Sequence, residues 1–327
     1  MLQKKNIDIR FINVLENWFC KHKTIVKWEG FLSHEIALLA GVRQGGILFP
    51  FLFTLYVDSV LDLLESSGRG CFVNFECFNS FMYADDLILI RPTSSVTDLQ
   101  SLLSLCANAF ANLDLSININ KSHCLRVGPR FNASCVNLTI NGVPLNWVHS
   151  TKYLGITFCN SPEFKCDWSE TKHKFYGSAN AILGRLGTSA PASVLLKLFN
   201  SHSLQTSLYD TSATNLSKAE ITSFKFAYDS VFNKIFKSFN KDVIQQCQFY
   251  SGCLSFNLIF DMNRLSFLNK LFKKGLLDSI SEVDKLDYND LVLLRRRYNI
   301  SDCDSKYAVK CKFWKFFENI ICQSANV

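Results

Sequence analysis

Two adjacent carboxylates, Asp85 and Asp86, lie between the short apolar runs Phe81-Met82-Tyr83-Ala84 and Leu87-Ile88-Leu89-Ile90. Carboxylate oxygens are the ligands that Mg²⁺ and Mn²⁺ prefer. Side by side the two charges repel, and a divalent cation relieves that repulsion. Two such cations held about 3.5–4 Å apart are what two-metal phosphoryl transfer requires. The pattern predicts a strand–turn–strand in which Phe81 to Ala84 rises, Asp85-Asp86 turns and Leu87 to Ile90 returns. An Asp pair is equally at home in an ordinary solvated turn, so the neighbouring motifs decide between the two readings.

Upstream lies Gly41-Val42-Arg43-Gln44-Gly45-Gly46, then Ile47-Leu48-Phe49-Pro50-Phe51-Leu52-Phe53. Its glycines allow close backbone approach and unusual dihedrals. Downstream come Ile117-Asn118-Ile119-Asn120-Lys121-Ser122 and Lys152-Tyr153-Leu154-Gly155-Ile156. With Phe81 to Asp86, these blocks resemble, in order and spacing, the reverse transcriptases of non-LTR (LINE-type) retrotransposons. The resemblance covers about residues 7–158 and fades beyond. Phe49 departs from it, standing where the family usually has a Ser.

The resemblance implies an RNA-directed DNA polymerase working by two-metal nucleotidyl transfer. Asp85 would be the direct metal ligand and Asp86 the lesser one. Arg43, Gln44 and Gly45, with Tyr83 and Ala84, would lie at the incoming nucleotide and template base. Lys121 would neutralise or protonate the pyrophosphate leaving group, a surface Lys at a strand end being its plain alternative. Tyr153, Leu154 and Gly155 would form the primer grip. The implied cofactor is Mg²⁺ or Mn²⁺; the implied partners are an RNA template, a DNA primer and deoxynucleoside triphosphates.

In the family a third Asp, on a Phe-x-Asp strand, completes the metal site upstream of the helix that begins here near Ile7. Asp8, Glu16, Glu29 and Glu35 are the acids before Gln44, and none sits in an apolar strand. The expectation is therefore an N-terminally truncated polymerase without fingers, holding metal weakly and inactive by itself. The alternative is an inactive retroelement remnant, at most a nucleic-acid-binding module.

The elements that must position these residues follow from periodicity. Residues 7–19 place Ile7, Phe11, Val14, Leu15 and Trp18 on one helical face. A ribbon follows, turning at Glu29-Gly30. Pro50 suits the first turn of a helix running to about Glu65 with Phe53, Val57, Val60 and Leu64 inward. Cys71 to Cys77 reads as one strand. Ser95-Val96-Thr97-Asp98 opens a helix striped by Val96, Leu99, Leu102, Leu103, Cys106, Phe110 and Leu113. Asn141-Gly142 is the strongest hairpin signal in the chain, joining 136–140 to 143–147. Lys152 to Phe158 adds a strand. Helices are expected at 168–186, 193–208 and 218–239.

The fold class is α+β: a partial polymerase palm, an antiparallel sheet with helices on one face, followed by a helical thumb and a helical C-terminal extension. The expected divisions are 1–160, 161–245 and 246–327.

With 48% hydrophobic residues, 29 of them Phe, the 327-residue chain is no disordered tail. A formal net charge of +7 permits a polyanionic partner. Thirteen Cys without a disulfide framework or paired zinc spacing read as buried free thiols in a reducing, intracellular (cytoplasmic or nuclear) setting. The apolar run 47–57 falls short of the ~20 residues of a membrane span. Arg295-Arg296-Arg297 reads first as a solvated face. A palm without fingers would expose apolar surface and favour self-association.

Overall fold

The computed structural model of the chain describes residues 5–38, 41, 45–73, 76–92, 96–187, 190–209, 211–275, 277 and 282–325. The chain forms two compact units, 1–154 with 160–162, and 155–159 with 163–327.

The first unit opens with helix α1 (Ile9–Cys20), whose N-cap Asp8 accepts from the Arg10 N–H. Strands β1 (Lys23–Thr24), β2 (Lys27–Trp28), β3 (Phe31–Leu32) and β4 (Ile36–Ala37) follow, β1 pairing with β4 and β2 with β3. Glu29 and Gly30 both take positive φ, 46° and 89°, as a primed two-residue turn demands. Helix α2 (Phe49–Ser66) carries Pro50 in its first turn. Then come β5 (Cys71–Val73), β6 (Glu76–Phe78), β7 (Ser80–Tyr83), β8 (Asp86–Leu89) and helix α3 (Val96–Ala111). After α3 lie β9 (His123–Cys124), β10 (Thr139–Ile140), β11 (Val143–Pro144), β12 (Asn146–Trp147) and β13 (Ser150–Tyr153).

Helix α3 is the centre of this unit. Leu102, Cys106, Ala109 and Phe110 pack with Val57, Val60 and Leu64 of α2. Its other side meets Cys124, Leu138, Ile140 and Leu145 through Leu103. Both inward stripes expected from the sequence are therefore buried. The expected cap Ser95 lies outside the described residues.

Four expectations are corrected. On α1 only Leu15 is buried, while Phe11, Val14 and Trp18 are 43%, 63% and 42% exposed. Periodicity identified an apolar face, but apart from the Phe49 ring against Trp18 the described residues leave much of it exposed. Residues 71–78 form a hairpin rather than one strand, Cys71 opposite Phe78 and Phe72 opposite Cys77. Trp147 leaves the Asn141-Gly142 hairpin and pairs in parallel with Cys124 through β12 and β9. Finally, β1 to β12 pair in twos, not as one continuous antiparallel sheet. The mixed α+β class stands.

The second unit contains β14 (Ile156–Cys159) and β15 (Lys165–Asp167), paired antiparallel. Helices follow: α4 (Ser169–Leu186), α5 (Ala192–Leu198), α6 (Leu204–Leu208), α7 (Lys218–Phe236), α8 (Lys241–Tyr250), α9 (Phe256–Lys273), α10 (Glu282–Arg297) and α11 (Lys306–Ala325). Ser217 and Glu220 close a reciprocal capping box on α7. One hydrophobic cluster runs from Cys166 to Ile321, rich in buried rings such as Phe175, Phe199, Tyr228, Phe232 and Phe256. The expected division near 245 falls within α8. Arg264 is 4% exposed, and its guanidinium pairs with Asp287 and Asp290 and bonds the Ser212 carbonyl and Asn215. So complete a set of partners makes it a structural clamp.

Candidate active site

The acidic pair sits on the β7–β8 hairpin. Ser80 faces Leu89, Phe81 faces Ile88, Met82 faces Leu87 and Tyr83 faces Asp86. Side chains alternate across a strand, so this register sorts the hairpin into two faces. Met82, Leu87 and Leu89 pack onto the α2–α3 core. Phe81, Tyr83, Asp86 and Ile88 share the other face, where Tyr83 is 66% exposed.

The register shifts the turn by one residue from the expected position. Ala84 and Asp85 form it, and Asp86 is already the first residue of β8. Ala84 takes φ 53°, a left-handed conformation that L-residues adopt at a cost of about 1–2 kcal/mol. Such backbone strain persists where surrounding structure fixes it, often at functional sites. The two carboxylates consequently differ: Asp85 is at the exposed apex, and Asp86 is anchored in the ladder.

What fixes the hairpin's base is a residue that sequence reading passed over. Asn79 is 3% exposed and donates its amide to the Leu64 carbonyl near the end of α2. The Ser80 hydroxyl donates to Asn79 Oδ1 at 3.0 Å, and the Ile90 N–H to the Asn79 carbonyl at 2.8 Å. Gly70 belongs to the same joint. A Cβ there would stand 2.6 Å from Cys77 Sγ and 2.8 Å from Asn79 Cβ, so only glycine lets the strands close.

Of the other expected site residues, Tyr153 is brought to the pair: its hydroxyl donates to the Asp86 carbonyl at 3.4 Å. Burial raises the Tyr153 phenol above its ordinary pKa, and the charge of Asp86 adds to the rise. Leu154 (φ 47°) and Gly155 (φ 90°) continue into a tight turn. Within the second unit, Gly155 lies against Tyr209, whose Cε1 would be 3.1 Å from an added Cβ. Lys121 is exposed at the end of a 3-10 turn (Ile119–Lys121) that Asn118 caps. Among the described residues its ammonium makes no ion pair. Arg43 and Gln44 lie outside the described residues. Gly45 has φ 83°, and Gly46 is covered by the Phe49 ring, 2.3 Å from where a Cβ would be. That ring is 3% exposed and stacks on Trp18 at 5.6 Å, which explains a Phe at this position.

The solvated reading of the arginine run holds for the exposed Arg296 and Arg297 and is corrected for Arg295. Arg295 pairs with Asp302 and lies over the Phe272 ring at 5.2 Å; Arg297 bonds Asp261 at 3.3 Å. Two of the three guanidiniums are thus committed within their own unit.

The donor set at the hairpin, paired carboxylate oxygens, suits a hard divalent cation. Among the described residues, no three His, Cys, Asp or Glu side chains converge into a fuller cage. Adjacent carboxylates at the tip of a core-anchored hairpin define a candidate phosphoryl-transfer unit. Comparison with known proteins makes that class specific. Residues 4–158 match the reverse transcriptase (RNA-dependent DNA polymerase) family.

Three relatives overlap this region. The Pol polyprotein of the type-2 retrotransposable element R2DM of Drosophila melanogaster is 28% identical over 168 residues, 49% of this chain and 16% of the relative. A type-1 element R2 Pol polyprotein of Popillia japonica is 30% identical over 128 residues, 38% of this chain and 18% of the relative. The RNA-directed DNA polymerase of the mobile element jockey of Drosophila funebris is 24% identical over 176 residues, 53% of this chain and 19% of the relative. Residues 4–158 are therefore similar to the reverse transcriptase regions of non-LTR retrotransposon proteins. The chain spans less than a fifth of the length of each of these three relatives. No helix among the described residues is long and apolar enough to cross a membrane.

Proposed function

We propose that this chain supplies the metal-binding hairpin and primer-supporting turn of an RNA-directed DNA polymerase acting on an RNA template, a DNA primer and deoxynucleoside triphosphates. The observation that carries the reading is the approach of Tyr153 to Asp86, which brings together two motifs 67 residues apart. Asp85, at the apex, is the principal metal ligand and Asp86 the second. Mg²⁺ or Mn²⁺ held there would activate the primer 3′-hydroxyl and neutralise charge on the triphosphate. Tyr83 and Ala84 contact the nucleotide, and Arg43, Gln44 and Gly45 contribute to the same nucleotide and template recognition. Lys121 offers its ammonium to the pyrophosphate, while Tyr153, Leu154 and Gly155 support the primer. In this reading the first unit is a palm and the helices of the second are a thumb with a C-terminal extension. The match to polymerases does not favour a remnant that only binds nucleic acid.

The test is a chimera in which residues 4–158 replace the matching region of the Drosophila melanogaster R2DM protein. Primer extension on an RNA template is expected, and Asp85→Ala should abolish it. A folded chimera that binds primer–template yet incorporates nothing would overturn the proposal.

A further inference from the structure

Between Asp114 and Glu163 the chain contains no acidic residue, yet it carries Lys121, Arg126, Arg130 and Lys152, with His123 and His149. These 48 residues supply +4 of the chain's net +7. An acid-free stretch is informative only if the fold gathers its bases on one surface, and several contacts of the first unit do so. His123 is the register partner of Asn146, and both are exposed on the face opposite the buried Cys124. The Val148 N–H donates to the Cys124 carbonyl at 2.9 Å, continuing that alignment to the exposed His149. The Asn160 N–H donates to the His149 carbonyl at 2.8 Å, and the Asn160 side chain to the Phe131 carbonyl at 3.1 Å. These bonds lay the 126–133 loop beside the histidine-bearing strands.

The loop itself is braced. The Arg126 guanidinium donates to the carbonyls of Arg130 and Ala133 at 3.3 and 3.1 Å and lies 5.2 Å from the Trp147 ring centroid. Trp147 in turn donates its indole N–H to the Val136 carbonyl at 3.2 Å. Arg126 thus serves as scaffold and holds Arg130 outward, where its side chain is exposed and has no ion pair among the described residues.

We infer that this surface, built from His123, Arg130 and His149, is a docking face for the phosphate backbone of a nucleic acid. Charge complementarity selects the occupant: cationic and imidazole donors carried by an acid-free stretch of chain match a polyanion with regularly repeated phosphates. The inference rests on the nucleic-acid reading above and adds a second contact surface, away from the acidic hairpin's own residues.

The experiment measures binding of the full chain to a short RNA template annealed to a DNA primer, as a function of salt. Arg130→Glu is compared with Lys310→Glu, an equal charge change at an exposed position of the second unit. Circular dichroism confirms that each variant is folded. Arg130→Glu is expected to weaken binding roughly fivefold and to lower the log–log salt slope by about one, with Arg130→Gln in between and Lys310→Glu near the unaltered chain. Equal losses from Arg130→Glu and Lys310→Glu would overturn this surface while leaving the polymerase reading intact. No binding by the unaltered chain would overturn both.

Discussion

The hydroxyl of Tyr153 reaches the backbone carbonyl of Asp86 across 3.4 Å, so a residue at the end of β13 touches the first rung of the acidic hairpin. Because the phenol's pKa is raised, the folded state favours its neutral form. Stability from this group is complete below the ordinary phenol range of about 10 and is lost as pH rises through the higher folded value. Tyr153→Phe should therefore resist alkaline unfolding better than the unaltered protein, at a cost near neutral pH of no more than about 1 kcal/mol. Denaturant titrations on both sides of pH 10 check this. Identical alkaline profiles would show that burial and the Asp86 charge do not raise the phenol.

Asn79 is expected to be the most sensitive polar position of the hairpin. Asn79→Ala removes the bond to Leu64 and should cost about 1 kcal/mol or somewhat more. Asn79→Asp should cost more, since it points a buried carboxylate at a carbonyl oxygen. Urea unfolding of the two variants gives the order directly, and a harmless Asn79→Asp would contradict the assigned geometry.

Cation binding at Asp85 and Asp86 should appear as stabilisation. A ligand present at its own dissociation constant stabilises the folded state by about 0.4 kcal/mol. Magnesium chloride should raise the melting temperature above that in sodium chloride of equal ionic strength. The double change Asp85→Ala with Asp86→Ala should remove the difference. An unchanged difference would place the bound ion elsewhere.

For residues 1–327 alone, the expected outcome of primer extension is no incorporation with Mg²⁺ or Mn²⁺. Two carboxylates hold a cation less firmly than a fuller cage, and loss of one preorganised electrostatic group commonly costs about 10²–10³ in rate. Incorporation that vanishes in Asp85→Ala would show that another ligand completes the site.

The parts of the fold legible in the sequence were those set by local rules. Glu29-Gly30 and Asn141-Gly142 turn where their dihedrals require, and the stripes of α2 and α3 are buried as their spacing indicates. Nonlocal relations were not legible. Nothing near Trp147 announces a parallel partner at Cys124, and the apolar face of α1 does not reveal what covers it. The acidic motif was found, but its turn was placed one residue late because Ala84 carries no mark of a left-handed backbone. Asn79 was missed because its importance lies in contacting Leu64, fifteen positions away. Arg295 looked solvated because its partner Asp302 is assigned by tertiary packing.

Cys106 is fully buried where α3 meets α2, and burial pushes its thiol up to about 12. The reactive species is the thiolate, so an alkylating reagent meets this sulfur only when α3 lifts from its seat. Cys20 is exposed in the folded state and reacts without such an opening. In the second unit Cys253 is buried, its thiol likewise raised. Pulsed alkylation read by mass spectrometry would follow Cys106 and Cys253 separately. The natural sequence thus carries its own pair of stopwatches, timing the opening of each unit in the intact chain.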